Sequence, residues 1–441
     1  MTEPVFGITI TRDDTDARPV VASDLSVVGM VGPAPNADAT VFPLDTPVYI
    51  ASSDPAMLTA LGDGDLREQL YLLNDQLADY EVAAKVVLVR TEEGVTAAET
   101  VANVIGNQAD QSGLYALLLA GPMLGVIPRL IGVPGYTHQR NGTDANPVCA
   151  ALPGILDKLI GHAVVEGPGT NATAIKSWRE TLASSRLIPI DAWVRIQVGT
   201  ETVSAPGVGA VIGIGVRRDY ENRGVPGKSF ANQAVQGILG PNRFVSFSLT
   251  DGATEGQDIL SANVGVLLRG ELGVETAISD SGFVFVGTDN AGTDPLWQFY
   301  SVTRMRDYIH LGLLRTLRLY LGGNNITRQT VQALLNTASF WLRDLKADDN
   351  ILGYRVGFEA NKNSPENLRL GKLRFFFQAE EPPVLRRIDI DSRRYEHALE
   401  ILIADLASVE VNRVARGVPN GDYKRARQVL VTAAPDDPGC L

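Results

Sequence analysis

The sequence predicts a multi-domain protein of mixed α/β (α+β) class with an extended strand-like segment at each end. Three observations support this prediction. The 441 residues exceed what one ordinary core accommodates. Strand-like and helix-like segments alternate through the middle with short connections, which favours a parallel sheet with helices on its faces. A short β-capable segment lies beyond a linker at each terminus.

The chain begins with an expected N-terminal arm, residues 1–20. Val5, Phe6, Ile8 and Ile10 supply its apolar side chains, and from Phe6 onward apolar and small residues alternate as in a strand. The following TRDDTDARP is charged and linker-like. We therefore expect a strand with no partner inside its own domain.

Residues 21–110 are expected to form an N-terminal α/β domain. Asp54 and Pro55 have the residue types of a helix N-cap and first helical position. The expected strands are Ser26–Gly32, Val48–Ile50 and Lys85–Arg90, and the expected helices are Leu66–Tyr80 and Thr96–Ile105.

Residues 111–320 are expected to form a central domain in which strands and helices alternate regularly. The expected strands are Leu130–Val133, Ala163–Val165, Leu187–Ile190, Val208–Val216 and Phe283–Val286; the expected helices are Val148–Ile160, Ala172–Leu182 and Phe299–Leu321. Within VGAVIGIGV the glycines suggest a buried strand that another backbone approaches closely.

Residues 321–416 are expected to form a C-terminal domain, with helices Thr327–Leu345 and Tyr395–Val409 and a strand Lys372–Gln378. The expected C-terminal arm, residues 417–441, follows. Its YKRARQVLVT segment ends in the apolar residues Val429, Leu430 and Val431.

Composition excludes several function classes. The net charge of -12 argues against direct binding to nucleic acid, which requires a basic face. The apolar stretch Leu114–Ile127 is interrupted by Pro122 and is too short to span a membrane, so no membrane insertion is expected. Glu3 stands where a secretory signal carries basic residues, and we expect synthesis and folding in a cytoplasm.

The stretch NRGVPGKSF, residues 222–230, ends in the glycine-lysine-serine of a phosphate loop. Asn222 occupies the position of the first glycine, and Pro226 stiffens the loop. A structural turn is therefore favoured, and a P-loop-like NTPase that uses Lys228 stays an alternative.

No catalytic, metal or cofactor site is expected elsewhere. His162 lies near a strand end, where a hydrolase could place a general base, but no nucleophile motif accompanies it. The two cysteines, Cys149 and Cys440, lack a CxxC partner, and two free thiols are favoured. An inter-subunit disulfide remains open, since Cys440 lies in the terminal PDDPGCL stretch.

The two ends are best explained if each arm completes a sheet of another copy. Unpaired strand edges are a hazard that proteins normally cover, and β-augmentation covers them with a partner's strand. Such head-to-tail contacts do not close as a twofold dimer does, so they form rings or helical polymers.

Several motifs, in order along the chain, resemble those of contractile tail sheath proteins of the bacteriophage and pyocin type. The most specific is APGVGAVIGIGVRRD, residues 205–219, with Arg223-Gly224 and the turn at 225–232 after it. The others are Pro-Val-Phe-Gly at 4–7, residues 26–35, the strand at 85–90, LIGVPGY at 130–136 and VTRMRDYI at 302–309.

This resemblance implies a central subtilisin-like domain without peptidase activity, and a C-terminal domain that faces a tail tube. It implies hexameric rings stacked into a helical sheath, with baseplate and tail terminator proteins as further partners, in a virion assembled in the host cytoplasm. Arg386, Arg387, Arg393 and Arg394 are candidate contacts to the tube or a neighbour. A static tube or coat protein is the third alternative.

Overall fold

The structure, a computed structural model, describes residues 23–415. In chain order these residues form β1 Val28–Pro33, β2 Pro47–Ala51, α1 Pro55–Leu61, α2 Asp65–Asp75, β3 Lys85–Thr91, α3 Ala97–Ile105, α4 Ala120–Leu124, β4 Leu130–Gly132, α5 Pro147–Leu159, β5 His162–Glu166, α6 Ala172–Arg179, β6 Leu187–Asp191, β7 Trp193–Val198, β8 Glu201–Pro206, α7 Val208–Glu221, β9 Gln233–Ala234, β10 Gly240–Pro241, α8 Glu255–Ser261, β11 Gly265–Arg269, β12 Phe283–Val286, α9 Tyr300–Leu317, α10 Arg328–Ala347, β13 Gly353–Gly357, α11 Pro365–Arg369, β14 Phe376–Glu380 and α12 His397–Ala415.

A nine-stranded sheet organises most of the chain, in the order β2-β3-β1-β4-β5-β6-β11-β12-β9. The six strands from β3 to β11 are parallel neighbours, and the outer strands β2, β12 and β9 pair antiparallel. The predicted parallel sheet with helices on its faces is therefore confirmed, and so is the mixed α/β class.

Both faces of this sheet are buried. Val28 and Met30 of β1 point into one apolar cluster, together with residues of α2 and α7. Val27 and Val31 belong to the cluster on the other face, which includes residues of α3 and α5. The alternation follows from the period of two along a strand, and burial on both faces explains the near-continuous apolar runs of these strands.

Local signals set several helix starts as predicted. Asp54 accepts hydrogen bonds from the amides of Ala56 and Met57 at the start of α1, with Pro55 in the first turn. Thr96 and Glu99 form a reciprocal capping box on α3.

The strand expected at Val208–Val216 is wrong, because these residues form the first part of helix α7. Gly209 and Gly213, four residues apart, face α2, where a Cβ atom would lie 2.3 Å from the Gln69 carbonyl oxygen and 2.8 Å from that of Leu73. The Gln69 side chain also accepts a 2.7 Å hydrogen bond from the Gly209 amide. The helix is buried almost all round, so its sequence lacks the polar face that reveals a surface helix.

Two smaller sheets accompany the large one. Strands β10, β7 and β8 form a three-stranded sheet, and β13 and β14 form an antiparallel pair. Tyr354 pairs with Ala379 and Val356 with Phe377, and these four half-buried residues pack on a third apolar cluster with residues of α9 and α10.

The nine-stranded sheet contains strands from both sides of the expected boundary at residues 110 and 111. Residues 21–110 and 111–320 therefore share one sheet. Chain contacts instead divide the molecule after Val384. The second unit, taken by itself, contains an extended segment followed by α12, on which Leu399, Leu402, Ile403 and Leu406 are exposed.

The arm residues fall outside the described part of the chain. This applies to Val5, Phe6, Ile8 and Ile10, and equally to Val429, Leu430, Val431 and Cys440. Among residues 23–415, no helix combines the length and apolar character that crossing a membrane requires.

Candidate functional site

A buried ion pair lies where helices α7 and α9 meet. The Arg304 guanidinium donates to both carboxylate oxygens of Asp219, at 3.1 and 2.5 Å. The two side chains are 1% and 0% exposed. Burial raises the pKa of Asp219, and the facing guanidinium opposes that rise. Since a buried charge without a partner is costly, this pair ties the two helices together.

An aromatic pair, Phe230 and Tyr300, lies beside this ion pair. The guanidinium of Arg304 lies 5.1 Å from the centre of the Phe230 ring. The Tyr300 hydroxyl accepts from the Phe230 amide at 2.8 Å and donates to the Gly287 carbonyl at 2.7 Å. Helix α9 is thereby bound to the loop after α7 and to the loop after β12.

The stretch NRGVPGKSF forms that loop after α7. Lys228 is exposed, and residues 227–230 open no helix, so successive amides are not aimed at a common anion as a phosphate loop requires. Asn222 instead donates to Val225 O at 2.8 Å and to Asn350 Oδ1 at 2.9 Å. The loop thus connects α7 to the end of α10, as the predicted structural turn does.

His162 belongs to a buried charged network. Its Nε2 lies 3.1 Å from Thr303 Oγ1, and its Nδ1 lies 3.9 Å from Asp307. Asp307 accepts from Arg186 at 2.6 Å, and Arg186 also donates to Asp157 at 2.7 Å. Burial, with a smaller contribution from nearby guanidinium groups, lowers the pKa of His162 well below its usual value.

This network joins β5 to α9 and gives His162 a packing role. The His162 side chain is 2% exposed, so a substrate in solvent has no access to its ring. Among residues 23–415, no group of three histidine, cysteine, aspartate or glutamate side chains could hold a metal ion.

Cys149 is a free, buried thiol in α5. Its sulfur donates to the carbonyl oxygen of Thr137 at 3.4 Å, and burial raises its pKa well above the usual range. Both properties suppress the thiolate that disulfide exchange needs. Cys149 is therefore placed for packing within its own subunit.

The arginines singled out in the sequence belong to the unit that follows Val384. Arg387 lies 2.7 Å from Asp389, and Arg393 lies 3.3 Å from Asp391. The four side chains are between 75% and 87% exposed, so both pairs are solvated and worth little to stability. Arg386 and Arg394 flank them along the chain.

No profile of a known protein family matches the chain. Three curated relatives match over most of its length. The tail sheath protein of Escherichia phage P2 is 26% identical over 415 residues, which cover 92% of this chain and 100% of the relative. The major tail sheath protein of Serratia phage KSP20 is 28% identical, with 84% and 91% covered. A putative prophage major tail sheath protein of Pseudomonas aeruginosa is 26% identical, with 83% and 90% covered.

The chain is a homologue of phage tail sheath proteins, which it matches over most of its length.

Solved structures agree with this assignment at the level of the fold. The contracted sheath complex of the extracellular contractile injection system PVC matches with a TM-score of 0.64 and 14% identity, covering 90% of this chain and 99% of that one. The contracted helical sheath of the anti-feeding prophage matches with a TM-score of 0.61 and 18% identity, covering 89% and 100%. The curated relatives, together with this fold, support a structural role as a tail sheath subunit.

The buried ion pair was not predicted, although both partners lie in motifs that carry the family resemblance, residues 205–219 and 302–309. An arginine and an aspartate within mainly apolar helical runs are a signal that each needs a buried partner. The sequence does not say which partner, because the two residues are 85 positions apart.

Proposed function

We propose that the sheath protein polymerises through its two arms into stacked hexameric rings around a rigid tail tube, and that shortening of this polymer drives the tube through the envelope of a target cell. The observation that carries this proposal is the match of 92% of the chain to the tail sheath protein of phage P2, over all of that protein's length. No nucleotide or other cofactor is required, since the energy is stored in contacts between subunits.

The β13–β14 pair is the proposed acceptor for the arms of neighbouring copies. A two-stranded sheet is marginal by itself, and each of its outer edges presents unpaired backbone groups. Among residues 23–415 no third strand pairs with it. One edge is available for an N-terminal arm and the other for a C-terminal arm, and every added strand forms backbone hydrogen bonds that persist while subunits move.

The linkers at residues 13–19 and 417–421 are proposed as the hinges between the body of each subunit and its two arms. Their composition, with repeated charges in one and glycine with proline in the other, suits a connection that reorients between two sheath lengths. A division into arms at 1–20 and 417–441, an N-terminal region 21–110, a subtilisin-like central region 111–320 and a tube-facing region 321–416 is part of the same proposal.

The proposed partners follow from this arrangement. They are further copies of the chain, the tail tube protein, and the baseplate and tail terminator proteins at the two ends of the sheath, in a virion assembled in the host cytoplasm. Arg386, Arg387, Arg393 and Arg394 are proposed to contact the tube or a neighbour. The ion pairs of Arg387 and Arg393 are solvated, so both charges gain little within the chain and can serve a partner.

Deleting either arm tests the proposal. Removal of residues 2–10, or of residues 422–441, is expected to leave a folded monomer that no longer sediments as polymer. Circular dichroism checks the fold, and negative-stain electron microscopy checks for tubes. Ordered tubes from either truncated chain would refute assembly through the arms.

The enzyme alternatives make a different prediction. An NTPase or hydrolase would lose turnover on Lys228→Ala or His162→Gln, respectively. The exposed loop position of Lys228 and the closed packing of His162 support neither activity. A static tube or coat protein would polymerise in the same way without changing length.

A further inference from the structure

Residues 24–26, which follow the N-terminal arm and its linker, contact several different elements of the fold. Asp24 accepts a 2.7 Å hydrogen bond from Lys85 Nζ at the start of β3. Leu25 is 2% exposed and belongs to the apolar cluster of α9 and α10, which includes Met305 and Leu342. These two consecutive residues thus contact separate parts of the fold.

Ser26 extends this set of contacts to the buried ion pair. Its hydroxyl lies 3.4 Å from the Asp219 carboxylate that binds Arg304. The next residue, Val27, accepts backbone hydrogen bonds from Arg129 and Leu130 at 2.8 and 3.1 Å. The chain therefore enters the interior strand β1 with its path fixed from Asp24 onward.

The charge on Asp24 is held by two of these contacts. Partial burial raises the pKa of this carboxyl, but the hydrogen bonds from Lys85 and from the Ser26 amide outweigh it, so the net pKa is lowered. Asp24 is thus ionised at neutral pH and engages Lys85 as a charged pair.

We infer that Asp24, Leu25 and Ser26 form a root anchor that positions the N-terminal arm for capture by a neighbouring subunit. The inference rests on the proposed role of that arm in assembly. Binding of an extended segment is weakened by the entropy of ordering it, and a root already fixed in the free subunit reduces this cost. Leaving one further residue to be ordered at assembly shifts the equilibrium about tenfold.

The anchor contacts two different parts of the protein. Lys85 lies on the nine-stranded sheet, and Leu25 lies in the cluster on which β13 and β14 pack. The residues that follow the arm are therefore held both by the large sheet and by the cluster beneath the proposed acceptor sheet.

The test compares two buried leucines of different clusters. Leu25→Ala removes the apolar contact of the anchor, and Leu152→Ala truncates a leucine of α5 that is 0% exposed and lies in a cluster apart from the anchor and from β13 and β14. Both variants lower the melting temperature. We expect the critical concentration for polymerisation, measured by sedimentation on the full-length chain, to rise about tenfold for Leu25→Ala and to change less than twofold for Leu152→Ala.

A second pair keeps the test valid if Leu25→Ala fails to fold. Lys85→Met removes the charge partner of Asp24, and Lys176→Met removes that of Asp258 in a pair of similar geometry, at 2.8 Å and with side chains 39% and 44% exposed. Only Lys85→Met should raise the critical concentration, by about twofold because exposed pairs are weak, and Asp24→Lys combined with Lys85→Asp should restore it.

Equal critical concentrations within each pair of variants would overturn the anchor. The chain lacking residues 2–10 separates that result from failure of the proposed function. If the deletion abolishes polymers while Leu25→Ala and Lys85→Met assemble normally, the arm functions without an anchor. If the deletion itself polymerises normally, the arm proposal fails, and the anchor fails with it.

Discussion

Arg304 and Asp219 join helices α9 and α7 through two parallel hydrogen bonds, and neither side chain reaches solvent. The pair lies under the Phe230 ring and beside Ser26. Helix α9 also contributes Thr303 and Asp307 to the network around His162. Helix α9 is thus linked to the loop after α7, to strand β5 and to the residues that lead into β1.

Arg304→Met is expected to lower the free energy of unfolding by about 3–5 kcal/mol, because it leaves the Asp219 carboxylate buried without a cation. Urea unfolding measures the change. The control is Arg343→Met, in an ion pair whose side chains are 61% and 64% exposed, where a change within about 0.5 kcal/mol is expected. Equal effects for the two variants would show that burial does not determine the cost.

Gly209→Ala should destabilise the protein, because the new methyl group would lie 2.3 Å from the Gln69 carbonyl oxygen and force α7 away from α2. We expect a loss of about 1–3 kcal/mol. The matched control is Gly154→Ala in α5, where no atom lies within 4 Å of the added Cβ and a gain of up to about 1 kcal/mol is expected. A neutral Gly209→Ala would contradict the close packing of the two helices.

Because of His162, the free energy of unfolding is expected to fall at acid pH. Its pKa is lowered in the folded state, so the unfolded chain binds the proton more readily. Its contribution is complete above the unfolded value of about 6.5 and is lost as pH falls below it, by up to about 1.4 kcal/mol per pH unit. Urea unfolding between pH 7 and 5 should give a shallower slope for His162→Gln. His397→Gln, at a position whose side chain is 62% exposed, is the control variant.

Polymerisation should protect the β13–β14 pair from amide hydrogen exchange. If neighbouring arms add to its edges, exchange at residues 353–357 and 376–380 slows in the polymer and returns to its free rate when residues 2–10 and 422–441 are deleted. Strand β8, which is also an outer strand of a small sheet, is the internal comparison. Protection confined to β8 would contradict the proposed acceptor, because the arms would then add to the β10-β7-β8 sheet and not to β13 and β14.

Much of the fold was predictable from the sequence where local signals and burial agree. The parallel strands β1, β3, β5 and β6 are short apolar runs between turn residues, and the caps Asp54 and Thr96 mark helix starts. Helix α7 was missed because its glycines serve close helix packing, and a helix buried all round has no amphipathic period.

Less of the candidate site could be predicted from the sequence. Asp219 and Arg304 stand in motifs that suggested the family, yet their pairing depends on the packing of helices far apart in the chain. The anchor at Asp24 to Ser26 was equally hidden, since its partners Lys85 and Asp219 lie on different elements. Tertiary contacts of this kind leave no local period or spacing to recognise.

The measurement that tests the account most directly is the length of assembled particles, imaged by electron microscopy before and after a contraction trigger. The account predicts a sheath that becomes shorter and wider while its subunits stay connected, and a tube that protrudes from it. Particles whose coat keeps one length under every trigger that expels the tube would contradict a contractile sheath and identify a static coat instead.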